Sequence, residues 1–157
     1  MGRIDDLLKI RSIADYQFGD SVGLQLFPDE VEILKSKGTG RIRKILLDGE
    51  LLATLKPTDG LFSLSINGAR RLADGPGLDR LRVIVSDDVE EFVQSGRSVF
   101  AKHVLDASPD IRPYSEVVVM NSRGKVLACG RALLNGEEML RFKVGVAVRV
   151  RAGSKER

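Results

Sequence analysis

Tryptophan is absent from these 157 residues, and aromatic residues of all kinds make up 5%. A surface built on successive stacked rings, as in many nonspecific binders of single strands, is therefore disfavoured. There is one cysteine, Cys129, and one histidine, His103. An internal disulfide, a cysteine-rich zinc site and a multi-histidine metal centre are all excluded. No apolar run approaches the ~20 residues that span a bilayer. The start, Met1-Gly2-Arg3-Ile4-Asp5-Asp6, lacks the apolar core of a signal peptide. A soluble, cytoplasmic protein with no cofactor and no membrane partner is expected.

What is present is a globular composition, 43% hydrophobic and 30% charged, with enough apolar residues for real cores. The net charge of +3 is unevenly placed. Residues 1–80 hold 12 Lys/Arg and 12 Asp/Glu, whereas residues 81–157 hold 13 and 10, so the excess lies in the second half. From Arg141 onward there are six basic residues against a single acid, Glu156. A basic strand and tail of this kind attract phosphate backbones.

Glycine and proline punctuate the chain most strongly at Asp74-Gly75-Pro76-Gly77, which predicts domains at 1–77 and 78–157. In the first, Ile4, Leu7 and Leu8 have helical spacing and predict a short amphipathic helix to about Ile10, then an irregular segment to Pro28. Strand-like runs follow at Gly40 to Leu47, Glu50 to Lys56 and Gly60 to Ser65. Asp48-Gly49 is a two-residue hairpin signal, because a type I′ turn needs positive φ at both positions. Asn67 is the expected cap of a short helix through Leu72.

In the second domain a strand is expected from Leu81 to Val85. Asp88 with Glu91 then predicts a capped helix that buries Val89, Phe92 and Val93 and ends at Gly96 with positive φ. Further strands are expected at Val99 to Val104, Glu116 to Met120, Lys125 to Leu133 and Lys143 to Arg151, with a turn around Gly136 to Met139. On the last strand Val144, Val146, Val148 and Val150 alternate with Lys143, Gly145, Ala147, Arg149 and Arg151. Period-two spacing puts the valines in the core and the basic face outside. The expected fold class is α+β: a small α/β N-terminal domain with a β-meander, followed by a mostly antiparallel β-barrel.

The order of these elements carries a resemblance. The helix ending at Gly96, then Val99-Phe100-Ala101-Lys102, Val117-Val118-Val119, Leu127-Ala128-Cys129-Gly130-Arg131-Ala132, Glu138-Met139 and the final strand around Gly145 resemble the PUA domain. That domain is an RNA-binding module of pseudouridine synthases and archaeosine tRNA-guanine transglycosylases. Upstream, Ala14-Asp15-Tyr16-Gln17-Phe18-Gly19, Ser36-Lys37-Gly38-Thr39-Gly40-Arg41-Ile42-Arg43 and Pro57-Thr58-Asp59-Gly60-Leu61-Phe62 resemble the domain that precedes PUA in the archaeal transglycosylases. The resemblance implies a noncatalytic protein that binds tRNA or other structured RNA near the acceptor stem and 3′ end, within a tRNA-modification system. It also implies a separate catalytic transglycosylase subunit as a partner, since the family's barrel aspartates and cysteine-rich zinc site have no counterpart here. The alternative is a protein-interaction adaptor, or a ribosome- or RNP-associated PUA protein without tRNA specificity.

The residues expected to touch RNA are Gly96, Arg97 and Lys102 on the first segment, and Lys143, Gly145, Arg149 and Arg151 on the last strand. Gly96 lets a backbone approach closely for want of a Cβ, and Lys102 matches the family pattern. His103 departs from it. Read as a strand, residue 102 projects opposite residues 101 and 103. Ser36-Lys37-Gly38-Thr39-Gly40-Arg41 looks like a phosphate cradle but lacks the Gly-Lys-Ser/Thr ending and following helix of a P-loop, leaving a basic hairpin loop. Cys129 with His103 lacks the orienting group of a nucleophile–base pair. Asp87, Asp88, Glu90 and Glu91 read as charges favoured at a helix N-terminus.

Overall fold

The computed structural model describes residues 2–155; Met1, Glu156 and Arg157, the last two counted above in the basic tail, lie outside them. The chain divides into two compact units, Met1–Gly77 and Leu78–Arg157. The fold is α+β, with a meander sheet in one unit and a nearly closed barrel in the other.

In the first unit α1 (Arg3–Phe18) buries Ile10, Ala14 and Phe18 along one face. It runs well past the expected end near Ile10. Ile4 and Leu8, whose spacing pointed to it, are 75% and 57% exposed, and the face that packs lies further along and includes an alanine. The stretch expected to be irregular contains α2 (Val22–Leu26), tied to α1 where the Gly23 N–H donates to Asp15 Oδ1 at 2.7 Å.

Strands β1 (Glu32–Lys35), β2 (Ile42–Leu47), β3 (Glu50–Leu55) and β4 (Phe62–Leu64) form an antiparallel sheet in chain order. β1 was not expected. It is an edge strand with no buried residue, so it carries no period-two signal. Asp48 and Gly49 join β2 to β3 with φ of 52° and 80°, the positive pair that a type I′ turn needs. Helix α3 (Ile66–Ala73) is capped by Ser65, whose Oγ accepts from the Gly68 N–H at 3.1 Å. Asn67, the expected cap, lies inside the first turn and donates to Glu50 instead. Phe18, Phe27, Phe62, Ile45, Leu64 and Leu72 are fully buried, with the Phe27 and Phe62 rings 5.1 Å apart.

The second unit begins with β5 (Arg82–Val85). Ser86 Oγ accepts from the Asp88 N–H at 3.3 Å, so the cap is Ser86 rather than Asp88, and a 3-10 turn at Asp87–Val89 leads into α4 (Glu90–Gln94). The remaining elements are β6 (Val99–Phe100), β7 (Val104–Ala107), β8 (Glu116–Met120), β9 (Val126–Ala132), α5 (Gly136–Arg141) and β10 (Val146–Gly153). The sheet order is β6-β10-β9-β8-β5-β7, with β5 and β8 the parallel pair. Its two end strands are consecutive in the chain, so the 3-10 turn Ala101–His103 between them all but closes the sheet on itself. The single strand expected from Val99 to Val104 is thus two, because the chain passes there from one sheet edge to the other.

Two further expectations are corrected. The turn around Gly136 is a helix, started by a capping box in which Asn135 and Glu138 satisfy each other's N–H groups. The alternation on β10 fails at its start. Val146 faces Phe100 and Val148 faces Val99, so a bulge places Ala147 between them and turns it inward beside Val148. Ala147 and Val148 are fully buried, whereas Val144 is 80% exposed. The barrel core is filled by Val83, Val85, Val117, Val119, Leu127 and Met139 with that pair.

Candidate nucleic-acid interface

Gly96 ends α4 with φ of 102°, a conformation that glycine adopts without strain. Its N–H donates to the Val93 carbonyl and the Arg97 N–H to the Phe92 carbonyl, each at 3.0 Å, the paired bonds of a Schellman ending. This turns the chain sharply into β6 and leaves Arg97 exposed, with its guanidinium 5.7 Å from the centre of the Phe92 ring. Beside it lies a hollow of 420 Å³ walled by Val89, Phe92, Phe100 and His103.

Pairing of β6 with β10 sets the two candidate segments edge to edge. The Ala101 N–H donates to the Gly145 carbonyl at 2.9 Å, and Gly145 itself has φ of 94°. Lys102 is exposed on the 3-10 turn, so the strand alternation expected for it and His103 does not apply. Lys143 is exposed on the bend before β10, and Arg149 is exposed on β10. Arg97, Lys102, Lys143 and Arg149 have no ion-pair partner among the described residues. Arg80, Arg82, Arg123 and Arg141, in contrast, each meet a carboxylate within 3.9 Å.

Arg151 stands apart. It is the extra residue where β10 slips against β9 between Val150 and Ala152. Its Nη1 donates to Glu116 Oε1 at 2.9 Å and its Nη2 to Oε2, and the Glu116 side chain is 4% exposed. Burial works against the Arg151 charge, but the bonds to Glu116 outweigh it and hold the guanidinium above its ordinary range.

Sequence reasoning missed Arg131 and Tyr114. Arg131 is the partner of Arg149 across β9 and β10, and its guanidinium lies 5.5 Å from the centre of the Tyr114 ring. Tyr114 is 69% exposed and has φ of 72°, uncommon for a residue with a side chain. Like charges facing each other across a sheet destabilise it, so folding alone does not favour the Arg131–Arg149 pair. Only the strand register reveals it. Among the described residues no cluster of His, Cys, Asp or Glu could hold a metal ion, and no helix is long and apolar enough to cross a membrane.

Residues 8–76 match the family model of the patch-forming domain C2 of tRNA-guanine transglycosylase, and residues 81–153 match that of the PUA domain. The chain is a PUA-domain protein with a C2-type domain ahead of it. It resembles the C-terminal region of the archaeal tRNA-guanine transglycosylases. The tRNA-guanine(15) transglycosylase of Methanothermobacter thermautotrophicus is 43% identical over 150 residues, which cover 96% of this chain and 23% of that protein. The Thermococcus kodakarensis enzyme is 46% identical over 144 residues, covering 92% and 24%. The chain thus spans about a quarter of the length of the curated relatives it matches. Among solved structures, a hypothetical protein from Pyrococcus horikoshii OT3 aligns with a TM-score of 0.76 at 22% identity, covering 96% of this chain and 91% of that one. A conserved PUA domain protein from Thermoplasma acidophilum aligns at 0.67 with 18% identity, covering 98% and 91%. Both share the fold.

Proposed function

We propose that this chain is a noncatalytic, cytoplasmic tRNA-binding protein that holds the acceptor stem and 3′ end for a separate transglycosylase subunit. The observation that supports this most is the set of exposed cations on the two segments that β6–β10 pairing sets edge to edge, Arg97, Lys102, Lys143 and Arg149, which have no ion-pair partner among the described residues. Cations without internal counter-charges attract phosphates and release counterions on contact. Gly96 and Gly145 carry no side chain to hold a ribose-phosphate strand away from the barrel. Recognition would be by shape and backbone, which suits a surface with few rings.

Filter binding of intact tRNA, tRNA lacking its 3′ end, and duplex RNA tests the reading. Replacing Lys102 and Arg149 together with alanine is expected to weaken intact tRNA about tenfold and to lower the salt slope by about 1–2. Removing the 3′ end is expected to weaken the native protein while affecting the double variant less. Unchanged affinity in a folded double variant, or equal binding of all three RNAs, would overturn acceptor-end docking. Base exchange by the purified chain alone would overturn the noncatalytic assignment.

A further inference from the structure

The first unit contains a hollow that the RNA reading leaves unused. It measures 570 Å³ and opens at one end of the four-stranded sheet, between α1, the β1–β2 loop and the β3–β4 loop. The two loops share one build. The Gly40 N–H donates to the Ser36 carbonyl at 2.8 Å and the Gly60 N–H to the Lys56 carbonyl at 2.9 Å, with glycine φ of 71° and 73°. In each, a side chain then accepts from the backbone two residues on. Thr39 Oγ1 accepts from Arg41 at 3.2 Å, and Asp59 Oδ1 from Leu61 at 2.9 Å.

Four cations line the hollow: Lys9 from α1, Arg41 and Arg43 from the β1–β2 hairpin, and Lys56 from the end of β3. Among the described residues no Asp or Glu lines it. Lys56 is engaged by Asp59 at 3.1 Å, whereas Lys9, Arg41 and Arg43 have no ion-pair partner among the described residues. Ile13, Ile42 and Leu55 add apolar surface to the lining. Arg43 is the most telling member. It is the extra residue where β2 slips against β1, and its Nε is buried without a hydrogen bond. A buried donor left without an acceptor is disfavoured, and neighbouring like charges repel. An anion in the hollow offsets the repulsion among these cations.

We propose that this hollow binds a phosphate group carried on a ligand of nucleotide size, with the phosphate held by Arg43, Arg41 and Lys9 and the apolar part against Ile13 and Leu55. Its volume lies within the range of small-ligand pockets, about 300–1,000 Å³. The phosphate chemistry is common to two sources, the monoester of a free nucleotide and the diester of a single RNA strand.

The test uses the full chain and follows the Thr39, Gly40 and Gly60 amides by NMR during titration with inorganic phosphate, adenosine monophosphate and uncharged adenosine. Saturable shifts are expected with both anions and none with adenosine, the nucleotide binding more tightly than phosphate. Arg43→Gln is expected to weaken the nucleotide at least tenfold while melting at or above the native temperature without ligand. Arg41→Ala, at an exposed position, provides a second reading should Arg43→Gln fail to fold. Shifts that do not saturate, or native-like affinity in a folded Arg43→Gln variant, would overturn the site. Displacement of the nucleotide by a short RNA strand without a terminal phosphate would identify the diester source, and lack of displacement the monoester; both uphold a phosphate site. Lys102→Ala with Arg149→Ala is expected to leave nucleotide binding unchanged, so this proposal and the tRNA reading can fail separately.

Discussion

Arg149 and Arg151 lie two residues apart on one strand and look interchangeable in the sequence. In the fold Arg149 is exposed and faces a second arginine, whereas Arg151 grips a buried carboxylate with both ends of its guanidinium. The difference comes from one slip in the β9–β10 register, which makes Arg151 the extra residue and aims it at Glu116. Basic charge on a strand is therefore no measure of what the strand can offer a phosphate. What counts is whether the protein has already supplied the counter-charge.

Removing Arg151 should break the comparison most visibly. Arg151→Ala leaves the Glu116 carboxylate buried without its main partner, and a loss of about 2–3 kcal/mol in unfolding free energy is expected. Urea titration monitored by circular dichroism measures it, and a loss below about 0.5 kcal/mol would mean that Arg151 is no more structural than Arg149. Glu116→Gln should have a smaller effect, about 1–2 kcal/mol, because the amide still accepts one bond while the charge attraction is lost. The same variant sharpens the contrast, since Arg151 keeps its place but loses the negative charge that offsets its own. The salt slope of RNA binding should then steepen slightly, by less than one.

The parts of this fold that were legible in the sequence are those specified locally. The Asp48-Gly49 turn and the run Glu116 to Met120 stand where they were expected, because positive φ and a β-branched stretch are properties of a few adjacent residues. Gly96 likewise announced a helix end. What was not legible depends on partners distant in the chain. The bulges that set Ala147 inward and Arg151 onto Glu116, the division of Val99 to Val104 into two strands, and the Arg131–Arg149 pair all follow from which strand lies alongside which. The shift of caps to Ser65 and Ser86 has a different cause. Several residues able to cap stand close together there, and the entry of the chain from the preceding strand selects among them.

The smallest effect on folding should come from Arg149 itself. Arg149→Ala removes an exposed side chain without an acidic partner and relieves its repulsion from Arg131, so stability should change by no more than about 0.5 kcal/mol. The sign should depend on salt. At low ionic strength the variant should be slightly more stable than the native protein, and the gain should fade as salt screens the two arginines from each other. Thermal melts across a salt series measure this, alongside tRNA affinity on the same samples. A variant that folds as well as the native chain but binds RNA several-fold more weakly would separate the two arginines by role. A variant that loses stability at every salt concentration would show that Arg149, like Arg151, is held by contacts within the fold, and the distinction between them would collapse.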